Sequence, residues 1–332
     1  MTIELEPTLA DKGAVLDLTA DERAAVAELA ARLCPAEVDH PAWVDQARNL
    51  SVLLPDRLRV ALRRFRREPG DEAVLLVRGL PVDPARLPPT PARPGSVQRT
   101  ATVPASSAVL VALHLGEPMA FREEKSGALV QDVVPVPGME ETQGNAGSVP
   151  LTMHVENAFH PDRPDYVGLL CLRNDHDNVA GLRVASVRRA LRLLPERERG
   201  VLGEPRFRTS APGSFDLDAA EPAATPVLLG SPDDPDIRVD FTSTEPVDDV
   251  ARSALAALGD ALDQVSRKLV LQPGDLAFVD NRLCLHGRTA FRARYDGRDR
   301  WLQRVFLSAD FRRSRPLRPG DGHVVQGVAP QR

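Results

Sequence analysis

The chain has 332 residues, of which 42% are hydrophobic, and its formal net charge at pH 7 is −5. This size and apolar content predict a substantial core, whereas the acidic balance disfavours nucleic acid and anionic membranes as partners, because both require a basic surface. Three widely separated cysteines predict reduced thiols rather than disulfides or a zinc site.

No apolar run is long enough to span a bilayer, and the first residues contain no secretory signal. We therefore expect a cytoplasmic protein with no membrane partner. No feature of the sequence indicates an obligate protein partner.

The first 70 residues are predicted to be mainly helical. Thr19-Ala-Asp-Glu22 has the form of a capping box, in which the threonine and the glutamate pair the free amides of a first turn. We expect residues 1–70 to pack on the rest of a single domain that comprises 1–332. Three helices and then a buried strand are predicted over residues 20–33, 41–51, 55–66 and 72–78.

Short strands joined by turns are predicted for most of the remaining chain. Many such strands with loop insertions are typical of a β-sandwich or a jelly roll, so the fold class is mainly β with added helices. A loose C-terminal tail is expected over 312–332. Helices are predicted over 106–115, 187–194 and 247–269, and strands over 127–134, 149–153, 166–172, 181–186, 204–209, 226–229, 236–242, 276–279, 283–286 and 299–306.

The polar stretch after the strand predicted over 149–153 contains a candidate metal site. His154 and Glu156 are two residues apart, and side chains at this spacing in an extended strand point to the same side. They could bind one metal ion together. A second His-x-acid triplet, His160-Pro-Asp162, surrounds a proline that favours a loop, so we rank it lower.

A His-x-carboxylate pair completes a facial iron site only with a distant second histidine, and His286 is the best candidate. The alternative for each histidine is a satisfied polar residue at a strand end. Two arginines favour the metal site, because Arg300 and Arg304 lie at even spacing in a predicted strand and arginine suits bidentate binding of carboxylates. The pattern predicts two acidic small molecules next to a metal ion.

Together these motifs resemble the iron(II)- and 2-oxoglutarate-dependent dioxygenases of the clavaminate synthase-like, TauD-related branch. The matching stretches lie between about residues 75 and 322 and read GALVQDVVPVPGMEETQGNAGS, HVENAFHPDRPDYVGLLCLR and VDNRLCLHGRTAF. The resemblance implies a double-stranded β-helix (jelly roll) core and Fe(II) held by His154, Glu156 and His286. It also implies that Arg300 binds the distal carboxylate of 2-oxoglutarate and that O2 is consumed.

The resemblance further implies four residues that bind an amino-acid substrate. Arg304 would bind the α-carboxylate, and Glu124 and Asn145 would bind the amino and side-chain groups. Asp240 would accept hydrogen bonds from the side chain. An anionic acceptor favours an amide, ureido or guanidinium group and disfavours a carboxylate, because like charges repel.

The relatives that the motifs match most fully hydroxylate free asparagine for nonribosomal peptide assembly. L-Asparagine, hydroxylated at C3, is therefore the first choice of substrate, with L-citrulline and L-arginine as alternatives at C3 or C4. Glu156 favours hydroxylation over halogenation, because related halogenases lack the metal carboxylate. Desaturation and cyclisation stay open, and a non-catalytic jelly-roll binding protein is the alternative from another class.

Overall fold

The structure, a computed structural model, describes residues 15–212, 215 and 222–328. Within these ranges sixteen strands form four sheets that are accompanied by seven α-helices, so the protein is mainly β with added helices, as predicted. The strands are β1 Val15–Asp17, β2 Val74–Arg78, β3 Glu117–Phe121, β4 Gln131–Val133, β5 Leu151–His154, β6 Tyr166–Arg173, β7 Leu182–Ser186, β8 Phe207–Thr209, β9 Leu228–Ser231, β10 Asp234–Ile237, β11 Thr244–Pro246, β12 Arg267–Leu269, β13 Leu276–Asp280, β14 Cys284–Arg288, β15 Trp301–Ser308 and β16 Val324–Val325. The helices are α1 Ala20–Ala31, α2 Pro41–Ser51, α3 Asp56–Arg67, α4 Val103–Ala112, α5 Val187–Ala190, α6 Glu196–Leu202 and α7 Asp249–Val265.

The three N-terminal helices, α1 to α3, lie where the sequence predicts them, to within two residues. At the start of α1 the Thr19 hydroxyl accepts a hydrogen bond from the Glu22 amide, and the Glu22 carboxylate accepts one from the Thr19 amide. This capping box pairs amides that the helix itself leaves free. None of the described helices is long and apolar enough to cross a membrane.

The large sheet has the strand order β1-β2-β13-β6-β15-β3-β16, and β4 also pairs with β15. Both of its faces are covered, and the alternation of side chains along a strand explains how. In β2, Val74 and Leu76 belong to one hydrophobic cluster, whereas Leu75 and Val77 belong to the other. The second cluster contains the apolar sides of α1 to α4, and the first contains the inner side of a smaller sheet.

The smaller sheet has the strand order β12-β7-β14-β5. β5 and β14 are antiparallel, and their register places His154 directly opposite His286. Two further two-stranded pairs, β8 with β11 and β9 with β10, lie beside helices, since β11 contacts α7 and β10 contacts α5. His154 and His286 therefore both lie on the small sheet, which packs against the large sheet.

Several predicted elements need correction. The helix predicted over 187–194 ends with α5 at Ala190, and the strand predicted over 236–242 ends with β10 at Ile237. The strand predicted over 127–134 is only β4, because residues 125 to 127 have positive φ values and form a 3-10 turn instead. The helix predicted over 247–269 ends with α7 at Val265, and the next residues form β12, which pairs with β7. Among the described strands, β3 is one that the sequence did not predict, because Pro118 near its start indicated a break.

The predicted loose tail over 312–332 is wrong for residues 312–328. β16 pairs in parallel with β3, and the Arg318 side chain is buried. Its guanidinium donates hydrogen bonds to the carbonyl oxygens of Phe311 (2.7 Å) and Gly322 (2.6 Å), which makes burial of the charge tolerable. The arginine-rich composition had indicated a solvated segment. Residues 329–332, and residues 1–14 of the predicted helical unit, lie outside the described ranges.

Candidate active site

A cavity of about 510 Å³ opens between the small sheet and the large sheet. It is lined by every site residue that the sequence predicts. These residues come from both sheets and from five connections between strands, so only the tertiary fold brings them together. They are Glu124, Asn145, His154, Glu156, Asp240, His286, Arg300 and Arg304.

His154, Glu156 and His286 form a compact cluster of metal-binding side chains. One ligand atom from each residue lies within 4.8 Å of the other two, and the two imidazole centroids are 4.6 Å apart. Two histidines and one carboxylate are the donor set of a facial iron(II) site, which leaves the remaining coordination positions for other ligands. The residues present therefore fit an iron ion.

The orientation of the His154 ring is fixed by its own strand. Its Nδ1 atom lies 2.8 Å from the carbonyl oxygen of Thr152, so Nδ1 carries the proton and donates a hydrogen bond to that oxygen. Nε2 then keeps its lone pair for a metal. Gly287, the next residue after His286, allows β14 to approach β5 closely, because an added Cβ would lie 2.5 Å from the Leu151 carbonyl oxygen.

His160 has no nitrogen free for a metal. Its Nε2 lies 3.0 Å from the carbonyl oxygen of Gly327, and its Nδ1 accepts a hydrogen bond from the Asp162 amide at 2.9 Å. Burial lowers the pKa of His160, which keeps the ring neutral in this arrangement. The lower rank of the His160-Pro-Asp162 triplet is therefore confirmed.

The main chain of Glu156 is held by the side chain of Asn281. This asparagine belongs to the motif VDNRLCLHGRTAF, but no role was predicted for it. The Asn281 side-chain oxygen accepts a hydrogen bond from the Glu156 amide at 2.7 Å, and its nitrogen donates to the Glu156 carbonyl oxygen at 3.1 Å. The same nitrogen also donates to the Pro164 carbonyl oxygen at 2.8 Å. An asparagine directly after an apolar strand and close to a histidine was the available signal, but its partner is distant in sequence.

We expect Asn281→Ala to weaken iron binding by about tenfold to a hundredfold, because Glu156 would lose the contacts that hold its backbone in place. The variant should also lose about 1–3 kcal/mol of stability, since it leaves buried main-chain groups unpaired. Anaerobic titration with Fe(II) and thermal unfolding measure the two effects. Asn174→Ala is the control, because Asn174 is a half-buried residue just after β6 that does not line the cavity. Equal iron affinity in both variants would contradict this role.

Arg304 connects Glu156, a predicted metal ligand, to Glu124, a predicted substrate-binding residue. Its guanidinium donates to the Glu156 carboxylate at 2.9 Å and to the carboxylate of Glu124, and its Nε donates to the Gln131 side-chain oxygen at 3.2 Å. Burial opposes the charge of Arg304, but the two carboxylates outweigh it and raise the pKa. Burial likewise opposes the charge of Glu156, and Arg304 with the two histidines lowers the Glu156 pKa. Both groups are therefore charged at neutral pH.

Arg300 differs from Arg304 because it has no ion pair or hydrogen bond to another residue in the described ranges. It is 5% exposed, and its guanidinium carbon lies 5.8 Å from the centroid of the Phe291 ring. Burial lowers its pKa. A buried cation without a protein counter-charge is unfavourable unless an anionic ligand approaches it. This end of the cavity therefore suits a carboxylate.

Asp240 lies beside the metal cluster because an isolated bridge pairs its backbone with His154. Its carboxylate accepts a hydrogen bond from the Thr242 amide at 2.8 Å, and its amide donates to the Thr244 hydroxyl at 3.0 Å. These contacts fix the half-buried side chain on the cavity wall. Asn145 lines the cavity from the loop between β4 and β5.

Comparison with known proteins identifies the family. The model of the "Taurine catabolism dioxygenase TauD, TfdA family" matches residues 46–306. The chain belongs to the TauD/TfdA dioxygenase family. It is 52% identical to the L-asparagine oxygenase of Streptomyces coelicolor over 95% of this chain and 96% of that protein. It is 36% identical to clavaminate synthase 2 of Streptomyces clavuligerus over 81% of this chain and 84% of that protein.

Solved structures of TauD/TfdA relatives agree with this assignment. An asparagine oxygenase in complex with Fe(II), 2S,3S-3-hydroxyasparagine and succinate matches with a TM-score of 0.92 and 51% identity, over 95% of this chain and 100% of that one. As a family member this protein is a non-haem iron enzyme that uses Fe(II), 2-oxoglutarate and O2. The complete donor set argues against the alternative of a non-catalytic binding protein.

Proposed function

We propose that this TauD/TfdA dioxygenase hydroxylates free L-asparagine at C3. The observation that carries the proposal is the 52% identity to an L-asparagine oxygenase over 95% of the chain. The cavity supports it independently, because its lining contains three metal-binding side chains, His154, Glu156 and His286. The lining also contains the cation Arg300 and the ion pair of Arg304 with Glu124, which suits an amino acid. Bound iron would supply the oxidation that inserts one oxygen atom from O2 into a C–H bond, with 2-oxoglutarate as the electron donor.

We further infer that the two main sheets are the two layers of a double-stranded β-helix. The hydrophobic cluster between them supports this inference, because it joins inward side chains of the large sheet, such as Leu76 and Leu169, to those of the small sheet, such as Leu182 and Val184. In such a core the open end between the layers is a natural ligand site.

We assign the iron to His154, Glu156 and His286, and the distal carboxylate of 2-oxoglutarate to Arg300. The donor atoms of the first three residues converge, and Arg300 is a buried cation that lacks an ion-pair partner within the described ranges. Arginine can bind a carboxylate through two parallel hydrogen bonds, which fixes the orientation of the ligand as well as its position.

The pair of Arg304 and Glu124 suits the zwitterionic end of a free amino acid. A positive and a negative side chain in contact at the cavity wall offer one partner for an α-carboxylate and one for an α-ammonium group. A carrier-bound aminoacyl group has no α-carboxylate, so it would leave the Arg304 charge without that partner. This arrangement favours a free substrate.

Asp240 and Asn145 would select the side chain of the substrate. Asp240 can accept a hydrogen bond from the amide nitrogen of asparagine, whereas the carboxylate of aspartate would be repelled. We expect Asp240→Asn to reduce the preference for asparagine over aspartate by about tenfold, because the like-charge repulsion disappears. Competing the two amino acids in one reaction measures the ratio.

The control for this variant is Asp263→Asn, which removes a surface carboxylate that binds Arg183. This control should keep the wild-type preference. An unchanged preference in Asp240→Asn would remove Asp240 from the proposed role but leave the reaction itself in place.

The proposed substrate is tested by offering free amino acids one at a time with Fe(II), ascorbate, 2-oxoglutarate and air. Mass spectrometry should find one added oxygen atom on L-asparagine and none on L-aspartate. Oxygen gain on L-citrulline or L-arginine alone would overturn asparagine as the substrate while keeping the reaction class. A mass loss of two hydrogen atoms would indicate desaturation instead of hydroxylation.

A further inference from the structure

Arg288 is a buried charged residue that the proposed reaction does not use. It is the last residue of β14, two positions after His286, and it is 3% exposed. Its guanidinium donates one hydrogen bond to the carbonyl oxygen of Gly144 and another to that of Val149, each at 3.1 Å. These two carbonyls flank Asn145 in the loop between β4 and β5.

The loop that carries Asn145, residues 136–149, is closely packed on itself. The Val136 amide donates to the Ala146 carbonyl oxygen at 2.9 Å, and the Ser148 amide donates to the Glu140 carbonyl oxygen at 2.8 Å. A Cβ atom added at Gly147 would lie 2.0 Å from the carbonyl oxygen of Thr142. These contacts hold the loop together as one compact unit, and its position depends on where it is attached.

Arg288 attaches this unit to the small sheet from the inside. On the outer side the Tyr295 hydroxyl donates to the Glu140 carboxylate at 2.6 Å, and the Phe291 amide donates to the Ser148 carbonyl oxygen at 3.0 Å. Of these contacts, only those of Arg288 come from the strand that carries the metal ligand His286. These two hydrogen bonds connect the Asn145 loop to β14, two residues from His286.

The environment of Arg288 separates its role from that of Arg300. The Phe291 ring lies beside both guanidiniums, 5.6 Å from that of Arg288 and 5.8 Å from that of Arg300. Arg300 has no partner within the described ranges, whereas Arg288 already donates to two carbonyls. Burial and the nearby Arg300 charge lower the pKa of Arg288 to about 9, so its charge is retained at neutral pH against an unfavourable environment.

We propose that Arg288 is a positioning residue that fixes the Asn145 loop relative to the iron ligands and thereby sets the side-chain end of the substrate pocket. The inference rests on the proposed function, because it assigns Asn145 to the substrate. Arg288 itself touches neither substrate nor co-substrate in this account.

The test compares Arg288→Lys with wild type, because lysine keeps the charge but cannot reach both carbonyls with a planar pair of donors. We expect KM for L-asparagine to rise about tenfold or more, while KM for 2-oxoglutarate and kcat stay within about twofold. Arg183→Lys is the matched control. Arg183 lies opposite Gly287 on β7 but binds Asp263 at the surface.

A double-mutant cycle with Asn145→Ala distinguishes positioning from a general structural effect. If Arg288 acts through Asn145, Arg288→Lys should change KM for L-asparagine little in the Asn145→Ala background. Full multiplication of the two effects would overturn the proposal, as would a rise in KM for 2-oxoglutarate alone.

Hydrogen exchange of the metal-free, substrate-free protein gives a readout that does not depend on turnover. Arg288→Lys should speed exchange of the amides in residues 136–149 and leave the central strands β6 and β15 unchanged. Unchanged exchange in the loop would overturn the proposal. Lack of asparagine turnover by the wild type would instead overturn the proposed function, so the two failures are distinguishable.

Discussion

His154→Ala is expected to abolish turnover, with a loss of about 1000-fold or more, and to prevent stoichiometric binding of Fe(II). The physical reason is that two remaining donors, Glu156 and His286, cannot occupy one face of an octahedral ion. Glu156 would also keep its ion pair with Arg304, which competes with the metal for the carboxylate. Anaerobic equilibrium dialysis followed by iron analysis measures the stoichiometry, and product formation measures the activity.

The control for this loss is His40→Ala. His40 lies on the surface, where its ring accepts a hydrogen bond at the start of α2, and it is far in sequence from the site. It should bind one iron ion and remain active, although its helix loses a cap worth about 1 kcal/mol. Full activity and full iron content in purified His154→Ala would contradict the assignment of the metal site.

Arg300→Gln is expected to raise KM for 2-oxoglutarate by about 100-fold or more, because truncation of one member of a buried charge pair costs about 2–5 kcal/mol. The same substitution should not destabilise the protein without ligands, since it removes a buried cation that has no ion-pair partner in the described ranges. Steady-state kinetics at saturating L-asparagine and thermal unfolding without 2-oxoglutarate measure these two effects.

Arg304→Ala serves as the comparison for Arg300→Gln, because it is also a buried arginine at the cavity but is assigned to the amino acid. It should raise KM for L-asparagine more than KM for 2-oxoglutarate. If the two variants affect the two substrates in the opposite way, the roles assigned to the arginines are exchanged. Equal effects of both variants on both substrates would show that neither residue is specific.

The sequence allowed prediction of the residues whose signal is local. His154 and Glu156 were found from their spacing, and the capping box at Thr19 was found from its pattern, because strand alternation and helix caps act over two or three positions. His286 was selected as the best candidate for the distant histidine and the family resemblance then implied the same residue, but the cross-strand register of two distant segments is not visible in a single sequence. The structure then places the two rings opposite each other on β5 and β14.

Residues that act through the main chain of a distant segment were not predicted. Asn281 holds the backbone of Glu156, and Arg288 donates to carbonyls of the Asn145 loop. Backbone amides and carbonyls are the same at every position, so no residue type marks the acceptor. The prediction for the C-terminal segment failed for a related reason. Arg318 is buried because main-chain carbonyl oxygens accept hydrogen bonds from it, whereas its charge suggested exposure to solvent.

The most direct test of the account is the fate of L-asparagine incubated with the purified enzyme, Fe(II), 2-oxoglutarate and isotopically heavy dioxygen. We predict hydroxyasparagine that contains one heavy oxygen atom, formed together with an equal amount of succinate, and no product when 2-oxoglutarate is omitted. Succinate formed without any change in the mass of asparagine would contradict the proposed function.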